Sequence, residues 1–384
     1  MNISTQQKKD CCGCTACYSI CPKKAIKMEL DESGFYYPKI DNEKCINCEL
    51  CLKVCDFKIF KPTDNVPLAF AIKSKDDNEV CTSRSGAFFI GLADYILKRD
   101  GVVFGCEMTD KKTIIHKYAL TKEEVKRFKG SKYVQSSIRN CFEECSNFLL
   151  NGKYVLFSGT GCQIHGLISY LKLKKINCEK LVTVDFVCHG VPSPQVWSKF
   201  IDEFEKRYNI QIESINFRDK QINGWREHKE TYQTTNGSKI ISNKWARMFY
   251  SHLLFRESCY NCKYTTTNRN SDFTMGDYWG IDKNVPEIDD NKGVSLVLAH
   301  NEKAYHIVKE MNGDFYVFAT NLENSIQPQL KKPINKNPKY ELFWKKFKNN
   351  NEKTISKYFF PNKFVLFIEE FKKKIKKLIK KLLK

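Results

Sequence analysis

Beyond Pro67 the chain alternates between stretches of helical and of strand-like apolar period. "GAFFIGLADYILKRDG" (residues 86–101) predicts a helix ended by Gly101, and "VVFG" after it a short buried strand. "TKEE" (Thr121–Glu124) is a capping box that opens a short helix. "KYVLFSGTGCQIHGLISYL" (153–171) predicts strand, glycine turn and helix. "LVTVDFVCHGVPSPQVWSKFIDEF" (181–204) repeats that order, with Ser193 as N-cap and Pro194 at the first helical position. "TYQTTNGSKIIS" predicts a hairpin turning at Asn236-Gly237. Alternation of this kind favours an α/β core with a mixed sheet. "KPTDNVP" (Lys61–Pro67) is a polar linker that separates this core from a different kind of segment ahead of it. The last residues, "FKKKIKKLIKKLLK", set Phe371, Ile375, Leu378, Ile379, Leu382 and Leu383 on one stripe with lysines on the other faces. A basic amphipathic helix of that pattern suits an anionic membrane surface; a solvated lysine-rich end is the alternative.

A chain of 384 residues holds two or three domains with substantial cores. The net charge of +20 raises the question of nucleic acid, but residues 345–384 carry fourteen lysines against three glutamates, so much of the excess sits at one end. No zinc finger, RNP-like signature or helix-turn-helix pattern accompanies it, and a nucleic-acid partner is not expected. The start "MNISTQQKKD" is polar, without the apolar region of a signal peptide, and no apolar run reaches the ~18–20 residues of a membrane span. A cytoplasmic location, peripheral at most at the inner face of the membrane, is expected.

The eighteen cysteines change the picture most. Cys11, Cys14, Cys17 and Cys21, followed by Pro22, form a C-x2-C-x2-C-x3-C-P run, and Cys45, Cys48, Cys51 and Cys55 repeat it. In such a pair of runs each loop supplies three thiolates to one cubane and its fourth cysteine to the other. The expected sets are Cys11, Cys14, Cys17 and Cys55 for the first cluster, and Cys45, Cys48, Cys51 and Cys21 for the second. Cys12 is left spare. Zinc, which takes four ligands in isolated pairs, fits two four-cysteine runs poorly. From about Lys8 to Phe60 the chain resembles a bacterial two-cluster 4Fe-4S ferredoxin, except that Asp56 stands where the second run often has proline. Farther on, Cys162 in "SGTGCQ" and Cys188 in "DFVCHG" each follow a predicted strand, on the edge of a parallel sheet where ligands collect, and "ESCYNCKY" adds Cys259 and Cys262. Spacing leaves two readings open: a third cubane on these four thiols, or two ordinary buried cysteines with half a zinc site.

From Cys81 to about Asp282 the ordered set "SRSGA", "KGSKYVQS", "FSGTGCQIHGLISYL", "DFVCHGVPSP", "NFRDK" and "SCYNCKY…SDFTMGDYWG" resembles the β-subunit family of coenzyme F(420) hydrogenases and dehydrogenases. Ala87 replaces a second glycine of the family pattern, and Gly161 stands where proline is common. The resemblance implies an FAD-containing electron-transfer protein with an iron-sulfur cluster in its flavin domain, hence a third cluster on Cys162, Cys188, Cys259 and Cys262. It does not transfer the substrate: nothing identifies a deazaflavin site, and bacterial members of the family include some associated with surface polysaccharide synthesis. Within the flavin domain, Ser83, Ser85 and Gly86 suit phosphate oxygens, as do Gly130, Ser131 and Lys132. Gly159, Thr160 and Gln163 form the strand-to-helix turn beside the cofactor. Arg218 suits an acidic cofactor or substrate, Asp277 a donor it would orient, and Trp279 the face of an isoalloxazine ring. His189 is the candidate catalytic residue, placed to relay protons. No G-x-G-x-x-G follows a strand, so a nicotinamide cofactor is not indicated.

The expected fold is α+β. A two-cluster ferredoxin module (1–62) precedes an α/β flavin domain with a mixed sheet (63–155 and 156–330) and a lysine-rich tail with an amphipathic helix (331–384). The expected function is that of an iron-sulfur flavoprotein oxidoreductase. It would relay electrons between a ferredoxin-like partner and FAD, with a deazaflavin or a polysaccharide-pathway intermediate as organic acceptor. The alternative is a non-enzymatic electron-transfer subunit of a larger, membrane-associated complex.

Overall fold

Two strands, β1 (Ile26–Leu30) and β2 (Tyr36–Ile40), pair as an antiparallel hairpin beside the short helix α1 (Ala16–Ile20), and with the cysteine loops around them they form the N-terminal module. These elements belong to a computed structural model, which describes Ile3 and residues 7–361. The apolar stripe at 371–383 lies outside the described residues.

The core is one eight-stranded mixed sheet. Its members are β3 (Leu68–Ser74), β4 (Val102–Met108), β5 (Ile114–Ala119), β6 (Val155–Gly159), β7 (Leu181–Phe186), β11 (Phe273–Asp277), β12 (Ser295–Ala299) and β13 (Phe315–Thr320), in the order β13-β3-β12-β11-β7-β6-β4-β5. The four central strands β11, β7, β6 and β4 run parallel, and antiparallel strands flank them on both sides. Fully buried on both faces, β6 reads "VLFSG" and β12 "SLVLA", as interior strands under helices do. The strands β8 (Ile212–Asn216), β9 (Glu230–Thr234) and β10 (Lys239–Ser242) make a separate antiparallel sheet, and Gly237 at φ +84° turns the expected hairpin.

Helices α2 (Phe88–Leu97), α3 (Cys141–Leu150), α4 (Gly161–Leu173) and α7 (Glu302–Glu310) pack on the sheet, while α5 (Pro194–Tyr208), α6 (Lys244–Phe249), α8 (Tyr340–Asn349) and α9 (Asn351–Phe359) pack together. Ser193 caps α5 by accepting from Val196 N–H, with Pro194 behind it. Val196, Trp197, Phe200, Ile201 and Phe204 of that helix are buried, against Phe343 and Phe347 of α8 and Ile355 and Phe359 of α9. Full burial of each such side chain contributes about 1.5–3 kcal/mol.

The ferredoxin-like module is docked on the core through side chains from many elements. Tyr18 Oη donates to Asn140 (2.9 Å), Ser169 Oγ to the Val54 carbonyl (2.9 Å), and Ser193 Oγ to the Ser33 carbonyl (2.6 Å). Asp56 accepts from Tyr264 Oη at 2.8 Å, so the residue in place of proline is a docking contact. Arg256, with no exposed surface, donates to the carbonyls of Cys11 (2.7 Å) and Tyr36 (2.9 Å) and lies 3.9 Å from the centroid of the Tyr37 ring. Among the described residues no helix is long and apolar enough to cross a membrane.

Candidate functional site

Three groups of thiols stand in a row toward the sheet edge. Cys21, Cys45, Cys48 and Cys51 line one small cavity with Ile26 and Ile40, and Cys48 is exposed. Cys11, Cys14 and Cys55 surround Cys17 closely enough that, together with burial, their charges push its thiol well above the usual range. The third group lies where the parallel strands end. Cys162 occupies the first turn of α4, right after β6; Cys188 follows β7; Cys259 and Cys262 come from the loop beneath them. These four thiols line one cavity of about 40 Å³, against the roughly 10–15 Å³ a single water needs.

The local sequence explains the placement. Thr160 and Gln163 form a capping box, Gln163 Oε1 accepting from Thr160 N–H at 2.9 Å, which starts α4 immediately after the strand. Cys162 therefore sits at a helix N-terminus, where negative charge is favoured. A hydrogen bond from Cys12, together with Thr160 and Arg256, holds its thiol down at about 7. Burial and the Cys162 charge push Cys188 up to about 11 and Cys262 up to about 12, and Cys259 rises with them. Cys188, Cys259 and Cys262 are desolvated and crowd the Cys162 charge, so a cationic group among the four would be needed before they ionise together. An iron-sulfur cubane supplies that, and the residues fit it. Asp185 and Arg269, both buried, pair behind the group at 2.7 Å.

A larger cavity of about 340 Å³ adjoins the third group. Its wall includes Ser83, Ser85, Gly130, Ser131, Lys132, Thr160, Gln163, His189, Arg218, Asp277 and Trp279, which gathers most of the residues expected to hold a cofactor, from segments far apart in the chain. Gly86 and Gly159 are not on that wall. A Cβ at Gly86 would lie 2.2 Å from the Ile72 carbonyl oxygen, and one at Gly159 would crowd Gln163, so both serve close packing. Ala87, in place of the family glycine, lines the cavity in the left-handed region at φ +66°.

Side chains on the wall are tied into networks. Asp277 Oδ2 accepts from Arg218 (2.9 Å) and Arg84 (3.1 Å), while Oδ1 accepts from Trp225 Nε1 (2.9 Å). Trp225 in turn stacks on Trp279 at 5.1 Å, and the Arg218 guanidinium lies over the same ring. Two guanidiniums on one carboxylate leave a net positive corner, and Arg84 Nε and Nη1 are buried without an acceptor. Lys132 donates to the carbonyls of Lys129 and Arg127, and burial holds its ammonium down at about 8. A second chain runs from Gln163 Nε2 to Ser136 Oγ (3.1 Å), then to His116 Nδ1 (3.0 Å), with His116 Nε2 at 3.1 Å from the Ser158 carbonyl. His189 has both ring nitrogens engaged: Gln329 amide at Nδ1 and His252 Nε2 at Nε2, each at 2.9 Å. Burial and His252 hold it neutral, down at about 4.

Sequence reading missed Arg84, His116, Ser136 and Arg256. Arg84 and Ser136 lie inside the quoted "SRSGA" and "KGSKYVQS", and Arg256 three residues ahead of the C-x2-C pair, so position alone pointed at them.

Two clustered four-cysteine runs on a docked module, beside an α/β sheet with more thiols at its carboxyl edge, define an iron-sulfur redox protein. Residues 152–325 match the C terminus of the coenzyme F(420) hydrogenase/dehydrogenase beta subunit, and residues 10–59 match a 4Fe-4S dicluster domain. An uncharacterized ferredoxin from Methanocaldococcus jannaschii is 35% identical over 77 residues, 19% of this chain and 86% of that protein. A chain of the F(420)-reducing nickel-iron hydrogenase complex from Methanosarcina barkeri is similar at 16% identity and a TM-score of 0.48, over 78% of this chain and 94% of its own.

Proposed function

We propose that the chain is an iron-sulfur flavoprotein oxidoreductase that moves electrons between a ferredoxin-like partner and FAD, with a small organic molecule as the final acceptor or donor. One observation carries the reading: Thr160, the segment Cys188–Val191 and Gln329 line both the four-thiol cavity and the large one, so a single layer of residues separates them. When bound, the clusters exchange single electrons and the flavin exchanges one for two.

The chain's own residues have distinct parts. Cys11, Cys14, Cys17 and Cys55 hold the first cluster, Cys21, Cys45, Cys48 and Cys51 the second, and Cys162, Cys188, Cys259 and Cys262 a third. Ser83, Ser85, Ser131 and the Gly130 backbone face the phosphates. The Arg84–Asp277–Arg218 corner, with Trp279, orients the planar or acidic end of a ligand. His189, fixed by the Gln329 amide at Nδ1, would exchange a proton with His252 through Nε2. A deazaflavin and a polysaccharide-pathway intermediate are the acceptors to try first, and the basic tail is proposed to rest on an anionic membrane surface.

Anaerobic purification with iron, sulfide and flavin assays is expected to give about 12 Fe and one FAD per chain. About 8 Fe removes the third cluster, zinc on Cys259 and Cys262 refutes its ligand set, and a colourless preparation ends the proposal. Turnover of a deazaflavin or a nucleotide sugar by the reduced protein distinguishes an enzyme from a pure carrier. Unchanged partition on anionic liposomes after removal of residues 362–384 rules out the membrane role.

A further inference from the structure

Cys11 and Cys12 are neighbours, yet only Cys11 fits the repeat, and Cys12 has a place of its own. It is 7% exposed and lines the cavity of Cys162, Cys188, Cys259 and Cys262 as a fifth thiol. In one cluster with Phe57 and Tyr264 it packs against Cys14, from the first set, and Cys162, from the third. Phe57 and Tyr264 pack around it, which keeps water out.

The backbone is built for this approach. Gly166 lies one helical turn beyond Cys162 on α4, and a Cβ there would sit 2.8 Å from Cys14 Sγ, so the absent side chain lets the module's loop press on the helix. Gly13, at φ +71°, turns the loop between Cys12 and Cys14, and a Cβ on it would meet the Arg256 guanidinium at 3.0 Å. Gln135 Nε2 donates to the Cys12 carbonyl at 3.2 Å and fixes the turn from the other side. Sulfur thus follows sulfur from one thiol group to the next, through a residue the ferredoxin repeat does not use.

A thiol carries one hydrogen and is a weak donor and weak acceptor. Flanked by two thiolates, it donates to one of them at a time. A hydrogen bond to a ligating sulfur stabilises the more negative, reduced state of that centre and so raises its potential.

We propose that Cys12 is a positioning residue between the first and third clusters: a neutral thiol, not a ligand, whose one S–H turns toward whichever of Cys14 and Cys162 carries the added electron. The proton stays on Cys12 throughout, so no bond is made or broken and no co-reactant is needed. The inference rests on the reading of Cys162, Cys188, Cys259 and Cys262 as a cluster site.

The full chain, Cys12→Ala and Cys12→Ser, prepared without oxygen, provide the test through iron and sulfide counts and potentiometric EPR titration. All three proteins are expected to hold the same iron. In Cys12→Ala the midpoint potentials of the first and third clusters shift down, while that of the cluster on Cys21, Cys45, Cys48 and Cys51 stays put. Cys12→Ser, which keeps one donor, returns both toward the starting values. Loss of about four Fe in Cys12→Ala makes Cys12 a ligand and overturns the proposal. Unchanged potentials with full iron overturn it too. About 8 Fe in the unmodified chain, by contrast, sinks the cluster site itself, a failure of the underlying reading that the iron count separates from the other two.

Discussion

Asp185 has no exposed surface, and its carboxylate accepts from Arg269 (2.7 Å), Ser271 Oγ (3.0 Å) and Thr274 Oγ1 (2.6 Å). Removing one member of a buried ion pair leaves an uncompensated charge, a cost of about 3–5 kcal/mol. Arg269→Met is therefore expected to destabilise the protein by about that amount, less a part that the two hydroxyl donors retain, read as a lowered denaturant midpoint. At the same scale the dicluster segment was legible because a cubane imposes its cysteine spacing on the chain locally. Asp277 was legible only as a residue of some importance. Its partners come from two segments far apart in the chain, Arg84 from one and Arg218 and Trp225 from the other, and no local period announces that they meet on one carboxylate.

Among the elements, helix and strand signals survived wherever a cap or a turn residue fixed a boundary. Ser193-Pro194, Thr160 with Gln163, and Asn236-Gly237 each begin or turn an element where expected. Thr121 accepts from Glu124 N–H as a capping box requires, but the Glu124 carboxylate reaches Leu120 N–H instead of Thr121. The cap of α6 had no sequence signal, because its acceptor is Glu230 on another strand. Glu230 Oε1 accepts from Ala246 N–H at 2.5 Å, and burial pushes its carboxyl up to about 8. The native state then holds a proton that the unfolded chain releases above the ordinary value near 4.5. Its stabilising contribution is full below that value, falls as pH rises toward 8, and is gone above it. Glu230→Gln is expected to flatten this part of the stability profile between pH 4.5 and 8, measured by chemical unfolding across that range. Gly166→Val tests the helix against the module: with a side chain 2.8 Å from Cys14 Sγ, the cluster on Cys11, Cys14, Cys17 and Cys55 is expected to be lost first on dilution, read by iron content.

For the whole molecule, the alternation of apolar periods pointed to a mixed sheet, but strand order was out of its reach. β12 and β13, from the far end of the core, return to sandwich β3, the first strand after the linker, through backbone pairing between residues more than two hundred positions apart. The docking of the module was equally hidden, since Tyr18, Ser169, Ser193 and Tyr264 make their contacts only once both parts are folded. Of the three thiol groups, the outer set on Cys21, Cys45, Cys48 and Cys51 alone includes an exposed cysteine, Cys48. Exposure to air is therefore expected to bleach the outer set first, with the iron signal decaying in separate phases, and simultaneous loss of all signals contradicts that order. Corrosion beginning at the rim is also the kind most easily repaired. A rebuilding donor of iron and sulfide is expected to enter at exposed Cys48, which would make this set the replaceable fuse of the molecule.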